Sequence, residues 1–523
     1  MLALPTITIT TAPSPCRALL ALASLPLLVA SGCSKCQPKP VDEQAAGPAA
    51  PSKSPQQLQA EREQQQRERI RAEMEKKYPL HGLVTGLQLT IRERPDPAST
   101  VVGWLRLGTR IRLAPGHRKS PTCNTGWYRV FPAGWACAGE GILIGVEPPP
   151  VAADAAVVAT GPEPGALPYR YYFVTEPLVP EYYRLPSRDE QRAARAFAAR
   201  YIELKRGNQR KAEQFWKGEL AGEPGKPAVV FHYLERGFYV AGAGIEIRAF
   251  RRFVRTVRGR YIKLAPLQER RGSEFAGVSL DDQRRLPVAW AIRSGRPFRV
   301  ELRQNGSPRL LTDQNTEPIA RLTLLPWLGE QRLGGRVFHR LPDGRYLKHW
   351  FAAVARKIDP PPEIKSDEPW IHVDLDQQTL VLYRGPRPVY ATLVSSGLQG
   401  FDTPAGVYTI RAKFVAETMS DLGPDAGDER YKIEDVPFTQ YFSGSLALHG
   451  AFWHERFGLR RSHGCVNLSP TDARRVFEHT LPALPEGWHG VSTDRTGLRA
   501  SRVVITGGPE PDSAGDGAVS KKL

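Results

Sequence analysis

The chain has 523 residues, 41% hydrophobic and 9% aromatic, which excludes a disordered polymer and a single small domain; three or four packed domains are expected. Its 72 lysines and arginines exceed its 54 acidic residues, giving a net charge of +18. That balance suits an anionic partner such as nucleic acid, lipid headgroups or an acidic cell-wall polymer, although a GC-rich genome rich in arginine codons gives the same excess.

The N-terminus bears on the compartment. Arg17 precedes an uncharged apolar run, Ala18 to Ala30. The run is shorter than the roughly 20 residues of a spanning helix and suits a signal-peptide core. It ends in Ala30-Ser31-Gly32-Cys33, which resembles a bacterial lipobox. The resemblance implies a signal peptide over 1–33 and a lipidated Cys33. That would hold the chain at the periplasmic face of the envelope, on the outer membrane in a Gram-negative cell because Ser34 follows the cysteine. Ala30 stands where leucine is commoner, and the n-region has a single basic residue. The rivals are a plainly cleaved signal and a redox or zinc pair, Cys33 with Cys36, which no second cysteine pair or βαβ pattern supports. Export removes nucleic acid as a partner and permits disulfides. Cys123 and Cys137 are the natural pair, Cys16 leaves with the signal, and Cys465 has no obvious partner except Cys36.

Residues 34–80 read as a linker followed by a polar helix, with strong helix formers and few apolar positions from Ser54. Residues 81–147 alternate apolar and polar residues in short runs broken by Pro, Asp and Gly, the pattern of short strands. Ile91-Arg92-Glu93-Arg94-Pro95, Val102-Gly103-Trp104-Leu105, Gly108-Thr109, Gly126-Trp127-Tyr128-Arg129-Val130 and Gly134-Trp135 resemble a bacterial SH3-like domain. The resemblance implies a small β-barrel that binds wall peptides or serves as a spacer. A second linker, 148–167, leads to a mixed α+β central region, 168–360, of unassigned family. Ser187 with Glu190 predicts a capped amphipathic helix there. Gly259-Arg260-Tyr261-Ile262-Lys263 is echoed by Gly344-Arg345-Tyr346-Leu347-Lys348, as two SH3-like units or chance would produce. The basic stretch Arg251 to Arg260 reads as a solvated face.

The last domain, 366–506, opens with a period-2 hairpin from Trp370 to Tyr383, turning at Asp376-Gln377-Gln378. A later strand ends at His449-Gly450, and thirteen residues after His449 begins Ser462-His463-Gly464-Cys465-Val466-Asn467. A helix from Pro470 to His479 and a strand from Arg502 to Thr506 close the domain; 507–523 is a tail. A thiol near its ordinary pKa needs a base within reach to become a nucleophile. His463 lies two residues from Cys465, so an extended segment points both side chains the same way. His449 is placed to arrive across the sheet. Gly464 is permissive backbone, and nearby N–H groups are candidates to hold an oxyanion. A buried inert cysteine and a zinc site of His449, His463 and Cys465 are the rivals.

These motifs, with Thr403-Pro404-Ala405-Gly406, resemble the catalytic domain of L,D-transpeptidases of the YkuD type. The resemblance implies a mainly β sandwich with a short helix, Cys465 as nucleophile, and His449 as general base oriented by the Gly450 carbonyl. His463 would line the oxyanion or acceptor side, Gly464 and Cys465 N–H groups would form the oxyanion hole, and Ser462, Asn467 and Arg461 would support the motif or substrate. Arg460 is a second candidate for substrate carboxylates. His454, His479 and His489 match no family position and read as surface or packing residues. The implied donor is a peptidoglycan tetrapeptide stem. The acceptor is another stem, a protein lysine or water, and no metal or cofactor is needed. A thiol carboxypeptidase or amidase and a non-enzymatic wall-binding lipoprotein are the alternatives.

Overall fold

A computed structural model describes residues 55–150 and 167–508, apart from 313, 366, 423–429 and 495. Cys33 and Cys36, the expected signal and lipobox, and most of the second linker and the tail lie outside the described residues. Two compact units are defined, one up to Gln65 and one from Gln66 onward. A helix runs from Pro55 to Lys77. Among the described residues no helix is long and apolar enough to cross a membrane.

The catalytic segment is two packed sheets. In the first, the order is Arg387–Leu393, Thr379–Arg384, Pro369–Asp374, Arg502–Thr506, Gly406–Thr409. In the second, Val466–Leu468 pairs with Leu446–Gly450, which pairs with Tyr431–Ser443, then Ala412–Asp421 and Gly490–Ser492. Period-2 alternation sends Ile371, Val373, Leu380 and Leu382 inward against Phe438, Phe442, Leu448 and Val466. The helix Pro470–His479 starts at Ser469, whose hydroxyl accepts the Asp472 N–H, and lays Val476 and Phe477 on the same core. Lys413 is buried at its other end. Its three ammonium donors meet the carbonyls of Phe477, Thr480 and Pro482 at 2.6, 2.8 and 3.0 Å.

The upstream chain covers this domain rather than hanging from it. Trp370, Val381 and Tyr383 face outward from the first sheet and are buried by Trp290, Ala353 and Ala355. Val278–Ser279 extends that sheet antiparallel, Val278 opposite Ala391. On the second sheet, Gly103 and Trp104 of the strand Val101–Arg106 pair with Val491 and Gly490. Gly103 is needed there, since a Cβ would lie 2.3 Å from the Trp488 ring. Trp488 joins the N-terminal core of Leu89, Ile91, Leu105 and Val130, and its indole N–H donates to Phe131 O. In that N-terminal module Cys123 and Cys137 are bonded, with Cα atoms 6.0 Å apart.

The two echoed segments occupy equivalent hairpins. Thr256 N–H donates to Arg260 O, and Leu341 N–H to Arg345 O. Gly259 and Gly344 take φ of +72° and +75°, and Ile262 and Leu347 are both fully buried. The helix Arg188–Gly207 carries the Ser187–Glu190 capping box. The basic stretch is not a solvated face. Arg255 is buried against Glu246, Arg258 meets Glu434 and Asp435, and Arg260 faces Glu181 and the Phe231 ring; Arg252 is exposed. These acids lie on other strands, so much of the positive charge of this stretch is matched internally.

Candidate active site

His449 and Cys465 are brought together by two parallel strands. The register sets His449 opposite Asn467, with Leu448 opposite Val466. Cys465 directly precedes the strand Val466–Leu468, which runs beside the histidine strand, so the two residues lie on neighbouring segments of the sheet. His449 is buried. Its Nδ1 faces Gly450 O at 3.4 Å, and its Nε2 has no hydrogen-bond partner among the described residues. Burial pushes His449 down to about 4, the Gly450 carbonyl pulling weakly the other way. Cys465 is partly exposed, with Sγ 3.8 Å from Ser445 O. Desolvation pushes its thiol up to about 11 against the Ala447 N–H that reaches the sulfur. Both shifts favour the neutral forms, imidazole and thiol, at neutral pH.

The segment around the thiol is bent rather than extended. Gly464 has φ +108°, and a Cβ there would lie 2.8 Å from Leu446 Cδ2, so glycine is required. The bend breaks the expected alternation of His463 with Cys465. His463 is exposed, its ring edge-on to Phe401 and stacked with Tyr431. The Gly464 N–H is also taken, donating to Ser462 Oγ at 3.1 Å, while the Ser462 hydroxyl donates to Cys465 O. In this structure Ser462 thus shapes the bend, and Cys465 N–H is left as the oxyanion candidate of the two.

Several supporting residues escaped the sequence reading. Thr403 accepts the Gly397 N–H and donates to Gly464 O at 2.7 Å, so the Thr-Pro-x-Gly match serves to pin the bend at Gly464. His454 contacts the side chain of Asn467, the residue opposite His449 in the strand register. Arg456 N–H donates to His454 Nδ1, so the neutral ring carries its proton on Nε2, 2.9 Å from the Asn467 amide. The amide oxygen must then face that proton. Burial holds His454 down to about 3. The three histidines set aside as surface or packing residues are all partly buried and hydrogen-bonded, so packing is the half of that reading the structure favours. His479 bonds Tyr383 O, and His489 bonds Ala416 O and is pushed by burial to about 4. Arg460 pairs with Asp402, which removes it as a free substrate contact, whereas the Arg461 side chain is exposed. His449, His463 and Cys465 are not a metal cluster. Among the described residues, the group whose ligand atoms lie within 4.8 Å of one another is Glu330, His339 and His349. Neither ring nitrogen of His339 is free: Nδ1 accepts the Trp327 indole N–H and Nε2 donates to His349 O.

Residues 368–505 match the YkuD family, the L,D-transpeptidase catalytic domain. This segment is 28% identical over 130 residues to "Putative L,D-transpeptidase YciB" of Bacillus subtilis (strain 168), covering 23% of this chain. The chain spans about 64% of that relative's length. Among solved structures, an L,D-transpeptidase from Mycobacterium smegmatis is 21% identical, covering 32% of this chain and 76% of that one, with a TM-score of 0.23. The catalytic domain of the Enterococcus faecium L,D-transpeptidase is 20% identical over 27% of this chain and 98% of that one, with a TM-score of 0.21.

Proposed function

We propose that the protein is a peptidoglycan L,D-transpeptidase with Cys465 as nucleophile and His449 as general base. The observation that supports this is the pairing of the two strands: it brings the segment that carries the thiol beside the strand of a buried imidazole whose Nε2 has no hydrogen-bond partner among the described residues. The match of residues 368–505 to the family supports it.

In the first half-reaction Cys465 Sγ attacks the carbonyl carbon of the third stem residue while its proton passes to His449 Nε2. The Cys465 N–H steadies the developing oxyanion. The C–N bond to the terminal D-alanine breaks, and that amine leaves with the proton from His449. In the second, an acceptor amine attacks the thioester, gives a proton to His449, and the thiol is released. Arg461 at the mouth suits a stem carboxylate. A second stem as acceptor gives a 3→3 cross-link, a protein lysine gives an anchored protein, and water gives carboxypeptidase activity. Lipidation at Cys33 would tether the enzyme in the envelope, and the N-terminal module, if SH3-like, would hold the wall. Metabolic labelling with a clickable fatty acid, lost in Cys33→Ala, tests the anchor.

The test of the activity is mass spectrometry of tetrapeptide muropeptides incubated with the full chain or its Cys465→Ala variant. Cross-linked dimers that have lost one D-alanine, absent with the variant, are expected. Tripeptide monomers alone would make water the acceptor. No Cys465-dependent change would leave a wall-binding protein.

A further inference from the structure

The loop from Ala451 to Arg461 runs from the base towards the nucleophile, and two upstream modules grip it. A Nδ1 to carbonyl separation of 3.4 Å is at the long limit of a hydrogen bond, so Gly450 O alone holds the imidazole weakly. The other restraint is aromatic. Trp453 stacks on His449 with ring centroids 5.7 Å apart and planes inclined by 29°. Trp453 is in turn held from the module of residues 167–270. Tyr239 lies 6.2 Å from its ring, and Phe452 lies 5.0 Å from it. Phe452 stacks on Tyr171 at 3.9 Å. The backbone secures the same corner, with Tyr239 bridged to Ile433 on the strand that neighbours the histidine strand. From the next module the Arg321 guanidinium donates to the carbonyls of Glu455 and Phe457, fixing the far side of the loop.

We infer that the module of residues 167–270 is part of the catalytic apparatus, with Tyr239 acting through Trp453 as a positioning residue for His449. The inference rests on the proposed reading of His449 as the base. A base held off its line of proton transfer loses rate steeply with small displacements. A weak carbonyl contact backed by a packed ring gives the required orientation without occupying Nε2. The upstream module then does more than bind or space: it completes the site. The ring contacts of Tyr239 are with Phe173, Phe452 and Trp453, so its loss is expected to act on the chemical step rather than on substrate binding.

The experiment compares the full-length protein with Tyr239→Ala, Tyr239→Leu and Tyr239→Phe. D-alanine release from a tetrapeptide muropeptide is followed, with thermal unfolding alongside. The Ala and Leu variants should lose about tenfold in kcat with KM held within about twofold, and Phe, which keeps the ring, should restore kcat. Leu keeps apolar volume, so it is read if Ala fails to fold. Unchanged kcat in Ala and Leu would overturn the inference. So would a rise in KM at constant kcat, which would make Tyr239 a substrate contact. A loss that Phe does not restore, together with a lowered unfolding midpoint, would reduce Tyr239 to a structural role. His449→Ala in the same assay separates the two claims. If it turns over like the parent, the assignment of the base fails, whatever Tyr239 shows.

Discussion

Two buried histidines in different regions set the active site apart from the rest of the molecule. His339, between paired strands of the module before the catalytic domain, and His449 are both desolvated and both held below the ordinary histidine range. Burial alone therefore distinguishes nothing. At His339 the Trp327 indole supplies a donor to Nδ1, and His349 O accepts from Nε2. At His449 one nitrogen faces a distant carbonyl and the other has no hydrogen-bond partner among the described residues. The two histidines differ in the nitrogen that the fold leaves unbonded, which fits the role of base proposed for His449.

The largest expected difference comes from deleting the two rings in turn. His449→Ala should lower turnover by about 10²–10⁴-fold, the usual weight of a general base. His339→Ala should leave turnover near the parent and cost about 1–3 kcal/mol of stability, because the Trp327 N–H and the His349 carbonyl both lose a partner. Denaturant midpoints and turnover, measured on both variants, check this. A His339→Ala protein that is stable but inactive would erase the contrast.

Acid should separate the two regions more finely. With His449 at about 4 and Cys465 at about 11, both groups stay neutral between pH 5 and 9, so the rate of Cys465 acylation should be flat there and fall below about pH 4. Stability should behave otherwise. The folded pKa values of His339, His372, His449, His454, His479 and His489 are depressed from 6.5, so below that pH the unfolded chain binds more protons. Stability should drop as pH falls through 6.5, by up to about 1.4 kcal/mol per group per pH unit. Thermal unfolding at pH 7 and pH 5 beside the rate profile tests both halves. A rate that climbs tenfold per pH unit across pH 6 to 9 would instead mean direct attack by a thiolate from solution equilibrium.

The smallest effect is expected at Trp327→Phe, which frees His339 Nδ1. It should cost about 1 kcal/mol, one neutral hydrogen bond, and leave turnover unchanged since no thiol stands near. A gain or loss of activity would show that the module's interior reaches the site by a route other than the Ala451–Arg461 loop.

The sequence made the family resemblance and the local elements of the candidate site legible and left most of their support hidden. Local signals were readable because they are short in range: the Trp370 hairpin turning at Gln378, the Ser187 cap, the Pro470 helix, and the spacing that delivers His449 and Cys465 to adjacent strands. Alternation over His463 to Cys465 failed because the positive φ of Gly464 breaks the period. Glycine hinted at this, though the direction of the bend is set by Ser462 and Thr403. Acids that meet Arg255, Arg258 and Arg260 are reached by tertiary pairing that leaves no mark in a linear pattern, so a basic run looked solvated. The same holds for Trp453 and Tyr239, whose contact depends on two modules docking.

One consequence concerns the order in which the molecule is completed. The Trp488 indole belongs to the core of the first module and donates to Phe131 O across 357 residues of chain. A chain emerging from its N-terminus presents that module long before its last hydrophobic plug arrives. Until then the strand around Gly103 and Trp104 keeps an open edge, the kind of edge on which chains stick to one another. The first domain made is thus among the last to be sealed. A truncation just before Trp488 should therefore harm the beginning of the protein as much as its end.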